Sequence, residues 1–312
     1  MAARLPFVVS AVFHYLGPAF AVLLFVRVDV LGVAWLRIAA AALVFALWRR
    51  PWEAIERGSR LRRRQARSLL RDRDVIAWGA VLAAMNCCFY LAIDRLPLAT
   101  VAAIEFLPVI ALAALGARSK RNVAALLLAV PGVYLLTGLQ LEVEPLGVIL
   151  ALANAGLFAA YIVLAHRVAS RGVGVDGLAA SMLVALVFVT PIAGWAAVPA
   201  FGDPVAILAG IGVGISSSVI PYVADQVAMK RLTRAGYALM VSLLPATATV
   251  IGLIVLSQVP SVRDALGIAL VIAGVALHRE PTPPPAGSPP PQPQPSPALR
   301  PIPAASGSRG HP

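Results

Sequence analysis

The sequence predicts an all-α membrane protein, with about ten transmembrane helices in two inverted five-helix repeats. Three observations carry the prediction. The 312 residues are 60% apolar and 13% charged, with a mean hydropathy of +0.85. A soluble domain carries roughly a quarter charged residues, so this chain lacks the polar surface to cover a globule in water. The apolar residues fall in blocks of the roughly 20 residues that a helix needs to cross a hydrocarbon core about 30 Å thick. The basic residues, finally, collect in alternate loops.

In chain order the spans read Leu5–Phe25, Leu31–Leu47, Val75–Ile93, Leu98–Leu115, Val123–Leu139, Gly147–Ala165, Leu178–Val198, Val205–Tyr222, Ala235–Leu256 and Val262–Leu277. Ala, Leu and Val dominate each one without strand-like alternation, which argues for helices over barrel strands. A helix also satisfies every backbone group within its own segment, as lipid requires. Arg4 before the first span and Ala19-Phe20-Ala21 within it resemble a signal peptide. The apolar run continues to Val26, however, so a first span interrupted by Pro18 is expected instead. In the third span Cys87 and Cys88 are adjacent, so their side chains point apart and read as small apolar packing residues.

The net charge of +12 suggests nucleic acid until its distribution is read. Ten arginines occupy the loop 49–74, from Arg49 to Arg73, and the positive-inside rule puts that loop in the cytoplasm. Alternation then places Arg118, Lys120 and Arg121, Arg167 and Arg171, and Lys230, Arg231 and Arg234 on the same side. Outer loops hold Arg27, Arg95 and Arg263 with the acidic Glu142, Glu144 and Asp203. Both termini are expected in the cytoplasm of a bacterial-type inner membrane. The partners implied are a small molecule and the bilayer, with no nucleic acid, and homodimerisation left open. The final segment, 280–312, is rich in Pro, Ser and Gly and has almost nothing to bury, so a disordered cytoplasmic tail is expected.

The halves echo each other. Ala92-Ile93-Asp94-Arg95-Leu96 and Glu105-Phe106-Leu107-Pro108 match Ala228-Met229-Lys230-Arg231-Leu232 and Ser242-Leu243-Leu244-Pro245 at a nearly constant offset. An odd number of spans per half inverts the second copy, which gives repeats at 5–139 and 145–279. Such inverted repeats are a transporter signature, with the substrate site near the midplane.

A charged side chain at mid-bilayer costs at least about 2.5–3.5 kcal/mol, so an intramembrane charge is read as functional by default. Arg37 and Glu105 each lie seven residues past the outer end of a span, roughly 10 Å deep. Equal depth permits an ion pair. Alternatively, Arg37 suits the carboxylate of a substrate and Glu105 its ammonium or a transferable proton. Pro108 and Pro245 are expected to break their helices and free backbone carbonyls. His14, Asn86, Asn154, Tyr161 and Ser217 are further polar candidates at depth. Tyr90 and Tyr222 suit a cavity or an interfacial belt. Gly210 and Gly214 suit close helix packing. There is no Walker A, GxGxxG, HExxH or paired intramembrane aspartate, so no cofactor, metal or intramembrane catalytic centre is indicated. A non-transporting scaffold recruited through the tail is the alternative from another class.

The motifs Gly32-Val33-Ala34-Trp35-Leu36-Arg37 through Arg50-Pro51-Trp52, Ala103–Pro108, Tyr161-Ile162, Ile220-Pro221-Tyr222 and Ala228–Leu232 resemble the EamA branch of the drug/metabolite transporter superfamily, most closely its threonine/homoserine exporter subgroup. The resemblance spans about residues 7–279. It implies ten helices and proton-driven export of small metabolites, commonly amino acids. Three features depart from it. Leu244 stands where many relatives carry a carboxylate before the ninth-helix proline. Ser257-Gln258 replaces Gly-Glu, and Leu107 replaces a glycine.

Overall fold

The computed structural model describes residues 5–49, 69–105, 107–108, 120–171, 174–224 and 244–277. The chain divides into two compact units, 1–280 and 281–312, and every described residue belongs to the first. The greater part of the arginine loop, residues 225–243 and the Pro-rich segment lie outside the described residues.

Every regular element among the described residues is helical. The helices are α1 (Leu5–Leu24), α2 (Val30–Arg49), α3 (Arg73–Ile93), α4 (Leu98–Glu105), α5 (Lys120–Val143), α6 (Pro145–Ser170), α7 (Gly174–Ala197), α8 (Pro204–Gly214), α9 (Leu244–Leu256) and α10 (Val262–Leu277). A short 3-10 turn, Val198–Gly202, precedes α8, and a π turn, Ile215–Val219, continues it. Among the described residues, five helices are long and apolar enough to cross a membrane, namely Val30–Trp48, Arg73–Ile93, Pro145–Ala165, Asp176–Gly202 and Pro204–Ala224. Val8–Leu24 and Leu244–Leu256 are shorter apolar helices.

Several helices outrun their apolar spans, because a polar first turn needs a cap rather than lipid. Thus α3 starts at Arg73, where the Asp72 side chain accepts from the backbone N–H groups of Asp74 and Val75. Asp203 caps α8 in the same way through Val205 N–H.

Small residues set the closest approaches. Gly210 and Gly214 of α8 lie on α2: a Cβ there would sit 2.8 Å from Leu36 Cδ1 and 2.8 Å from the Arg37 carbonyl oxygen respectively. Between α5 and α10, a Cβ on Gly132 would meet the Gly267 carbonyl at 2.8 Å, and one on Gly274 the Ala125 carbonyl at 2.8 Å. The main pairings are α2 with α7, α4 with α9, α5 with α10, α1 with α8 and α9, α6 with α3 and α4, α2 with α8, and α7 with α3. Adding five to each helix number, and subtracting ten from any sum above ten, maps this set onto itself.

Two apolar clusters result. One gathers α1, α4 and α10 with parts of their neighbours, and the other gathers α2, α3 and α7. Met85 belongs to the second and Phe89, one turn on along α3, to the first. The polar site lies at this junction.

Candidate functional site: a buried polar cavity

His14 and Pro18 of α1, Arg37 of α2, and Met85, Asn86 and Phe89 of α3 line one cavity. Glu105 of α4, Asn154, Phe158 and Tyr161 of α6, and Tyr222 beyond the π turn complete it. Its free volume is about 40 Å³, which holds a few water molecules rather than an amino acid. Six of the seven polar residues picked from the sequence share this wall: His14, Arg37, Asn86, Glu105, Asn154 and Tyr161. Ser217 is the seventh and is placed behind Arg37. Tyr222 also lines the cavity.

The two charges are buried, Arg37 at 7% exposure and Glu105 at 6%. They do not bond to each other: among the described residues no ion pair joins them. Arg37 instead docks on the π turn. Its Nε donates to Ser218 Oγ at 3.0 Å and its Nη2 to the Ser217 carbonyl at 3.0 Å. The guanidinium carbon also stands 5.5 Å from the centroid of the Tyr90 ring, within cation–π range. Glu105 accepts at Oε1 from Asn154 Nδ2 at 3.2 Å. Asn154 itself is fully buried.

The remaining candidates divide by role. Asn86 Nδ2 donates to the Leu82 carbonyl at 2.8 Å, so part of its polar capacity is spent on its own helix. Ser217 contributes its backbone to Arg37 while its hydroxyl donates to the Val213 carbonyl. A Cβ on Gly17 would sit 2.7 Å from Ser217 N, so α1 crosses directly over this turn. His14 lies edge-on to Tyr15, ring centroids 5.4 Å apart. Tyr161 stacks on Phe158 at 5.9 Å and on Tyr222 at 6.3 Å, and Trp78 packs at 5.8 Å on its ring. This aromatic wall includes Phe158, which its sequence context gave no reason to single out from the apolar runs.

The two prolines expected to break their helices fall at the limit of the described residues. Pro108 follows α4, which is described as far as Glu105, and Pro245 is the second residue of the described α9. The departure at Ser257-Gln258 has a local explanation. Ser257 adopts a left-handed φ of 55° and Gln258 N–H returns to the Gly252 carbonyl at 3.0 Å, which closes α9. A glycine takes this conformation without strain. Gln258 Oε1 then accepts from Leu98 N–H at 3.1 Å, so the side chain caps α4 from the other half of the chain.

Comparison with known proteins identifies the family of the chain. The threonine/homoserine exporter RhtA of Escherichia coli (strain K12) is 30% identical over 260 residues, covering 82% of this chain and 84% of its own. The protein of the same name from Salmonella typhimurium (strain SL1344) is 29% identical over 273 residues, covering 85% and 88%. A solved crystal structure superposes on 88% of this chain and 96% of its own with a TM-score of 0.57 at 19% identity, a likeness of fold. The model of the EamA-like transporter family matches residues 145–279. With that match and a 30% identical relative spanning 82% of its length, the chain belongs to the EamA-like transporter family.

Proposed function

We propose that this protein exports small amino acids, with threonine and homoserine the first candidates, by alternating access and with proton coupling through Glu105. The observation that carries the reading is the unmade pair: Arg37 and Glu105 face one cavity and bond elsewhere. In a low-dielectric interior two such charges attract strongly. A zwitterion placed between them would offer its carboxylate to Arg37 and its ammonium to Glu105. The names of the relatives point to the same substrate class.

Ten membrane helices in two inverted repeats, 5–139 and 145–279, form the scaffold of this reading. The self-matching pairings of the helices support it. So does a repeated detail. Arg171, after α6, bonds to Asp72, the cap of α3, while Arg27, after α1, bonds to Asp203, the cap of α8. Moving five helices along exchanges one pair for the other. The two pairs belong to opposite ends of the bundle, as inversion requires. We place both termini and the arginine loop in the cytoplasm of the inner membrane, following the positive charge.

Solute counterflow in proteoliposomes tests the function. Vesicles loaded with unlabelled threonine should accumulate labelled threonine and homoserine. Imposing a pH gradient should drive net flux, and Glu105→Gln should lose that drive. Failure of both solutes to exchange, in vesicles with verified insertion, would refute the amino-acid assignment. Deleting 281–312 should leave exchange intact, whereas its loss in a stable truncation would favour the scaffold alternative.

A further inference from the structure

Four buried side-chain polar atoms have no hydrogen-bond partner among the described residues: Tyr15 Oη, Trp78 Nε1, Tyr90 Oη and Asn154 Oδ1. All four belong to the cavity or its immediate backing. Asn154 lines it. Tyr15 packs on His14, Tyr90 lies beneath Arg37, and Trp78 packs on Tyr161. Buried polar atoms in folded proteins are almost always satisfied, so orphans gathered at one cavity mark where a ligand or water completes the bonding.

Asn154 Oδ1 differs from the other three because it can only accept. Its amide nitrogen donates to the Glu105 carboxylate, and an ionised carboxylate cannot donate back. The atom left over is therefore the oxygen, in a residue with no exposed surface. It is held against Glu105, the one acidic group of the cavity wall among the described residues.

We propose that Asn154 Oδ1 reads the side-chain hydroxyl of the transported amino acid. The inference rests on the reading of this cavity as an amino-acid site and names its specificity determinant. Arg37 and Glu105 complement the carboxylate and ammonium that every amino acid carries, so they cannot tell one from another. Threonine and homoserine, the solutes in the relatives' names, share a four-carbon skeleton with a hydroxyl on one of the two carbons beyond Cα. In a state opened widely enough to admit the solute, an ammonium held by Glu105 would bring those carbons beside the neighbouring amide. A hydroxyl there supplies the missing donor, whereas an apolar substrate leaves the acceptor buried and unmade. A site built to bond a hydroxyl discriminates strongly against the analogue that lacks it.

The test uses 2-aminobutyrate, which has the carbon skeleton of both solutes and no hydroxyl, as competitor in threonine counterflow. For the wild-type protein, unlabelled threonine or homoserine should compete about tenfold to a hundredfold better than 2-aminobutyrate. In Asn154→Leu that ratio should fall to about one, through weaker threonine binding. A merely structural role for Asn154 would lower flux and leave the ratio unchanged, which would overturn the proposal. Equal competition by 2-aminobutyrate in the wild type would overturn it without any variant, so a misfolded mutant does not protect it. An absence of exchange with every amino acid would instead refute the transport assignment on which it rests.

Discussion

The ends of the bundle and its centre treat charge in opposite ways. At the ends, arginines pair with carboxylates. Arg27 meets Asp203 at 3.0 Å, and Arg171 meets Asp72 at 2.8 Å and Asp74 as well. These groups are partly exposed, and surface pairs typically contribute about 0–1 kcal/mol. At the centre, where attraction is strongest, Arg37 and Glu105 remain apart. Removing a charge from water without a counter-charge costs several kcal/mol, and the π turn, Tyr90 and Asn154 are the partners set against that cost. A sequence optimised for stability alone would pair these two or dispense with them. On the function proposed above, the contrast means that the central charges are kept open for a group that comes and goes.

The largest expected effect follows from removing either central charge. Arg37→Met and Glu105→Gln should each lower threonine exchange at least about tenfold, since bonds to charged groups contribute about 1.5–3 kcal/mol. Equal exchange in either variant would dissolve the contrast. Ser218→Ala should come next. It removes the Nε partner of Arg37 and should destabilise the protein by about 1–3 kcal/mol, read as a lower midpoint of unfolding. Ser257→Gly should act in the opposite direction. Relieving a left-handed serine should stabilise by about 1 kcal/mol with no change in exchange.

The ends should respond least. Arg171→Ala should change stability by at most about 1 kcal/mol, and added salt should erase the difference. Asp203 sharpens the point through pH. Its carboxyl is held below the usual range chiefly by the Ala206 backbone N–H, with Arg27 adding to the effect. A carboxyl lowered by folding stabilises above its ordinary value, and that contribution fades as pH falls through the lowered one. Asp203→Asn should therefore narrow the stability gap between neutral and acidic pH, and an unchanged pH profile would contradict the assignment.

The central site was legible in the sequence because lipid makes polar residues conspicuous. Arg37, Glu105 and Asn154 stand out in runs of Ala, Leu and Val, and their depth follows from counting 1.5 Å per residue. Helix rotation was not legible, since such runs carry no apolar stripe to orient them. Hence equal depth allowed an Arg37–Glu105 pair, while the fold turns Arg37 toward Ser217 and Ser218. Ser217 read as one more polar candidate at depth, and nothing in the spacing of the serines announces the π turn that presents the Ser217 carbonyl to Arg37. Phe158 and Tyr15 were hidden for the same reason, as apolar neighbours among many. Ser257-Gln258 read as a lost acidic site, and its role as a cap for both α9 and α4 appears only once the two halves are brought together.

The most direct test of the open central charges is substrate-induced thermal stabilisation of the purified protein, because a ligand that binds the folded state raises its unfolding midpoint. Three solutes separate the two charges: threonine, its decarboxylated amine 1-amino-2-propanol, and its deaminated acid 3-hydroxybutyrate. The account predicts that threonine raises the midpoint and that neither half-charged analogue does so at the same concentration. Stabilisation by either analogue equal to that by threonine would show that Arg37 and Glu105 do not jointly receive a zwitterion.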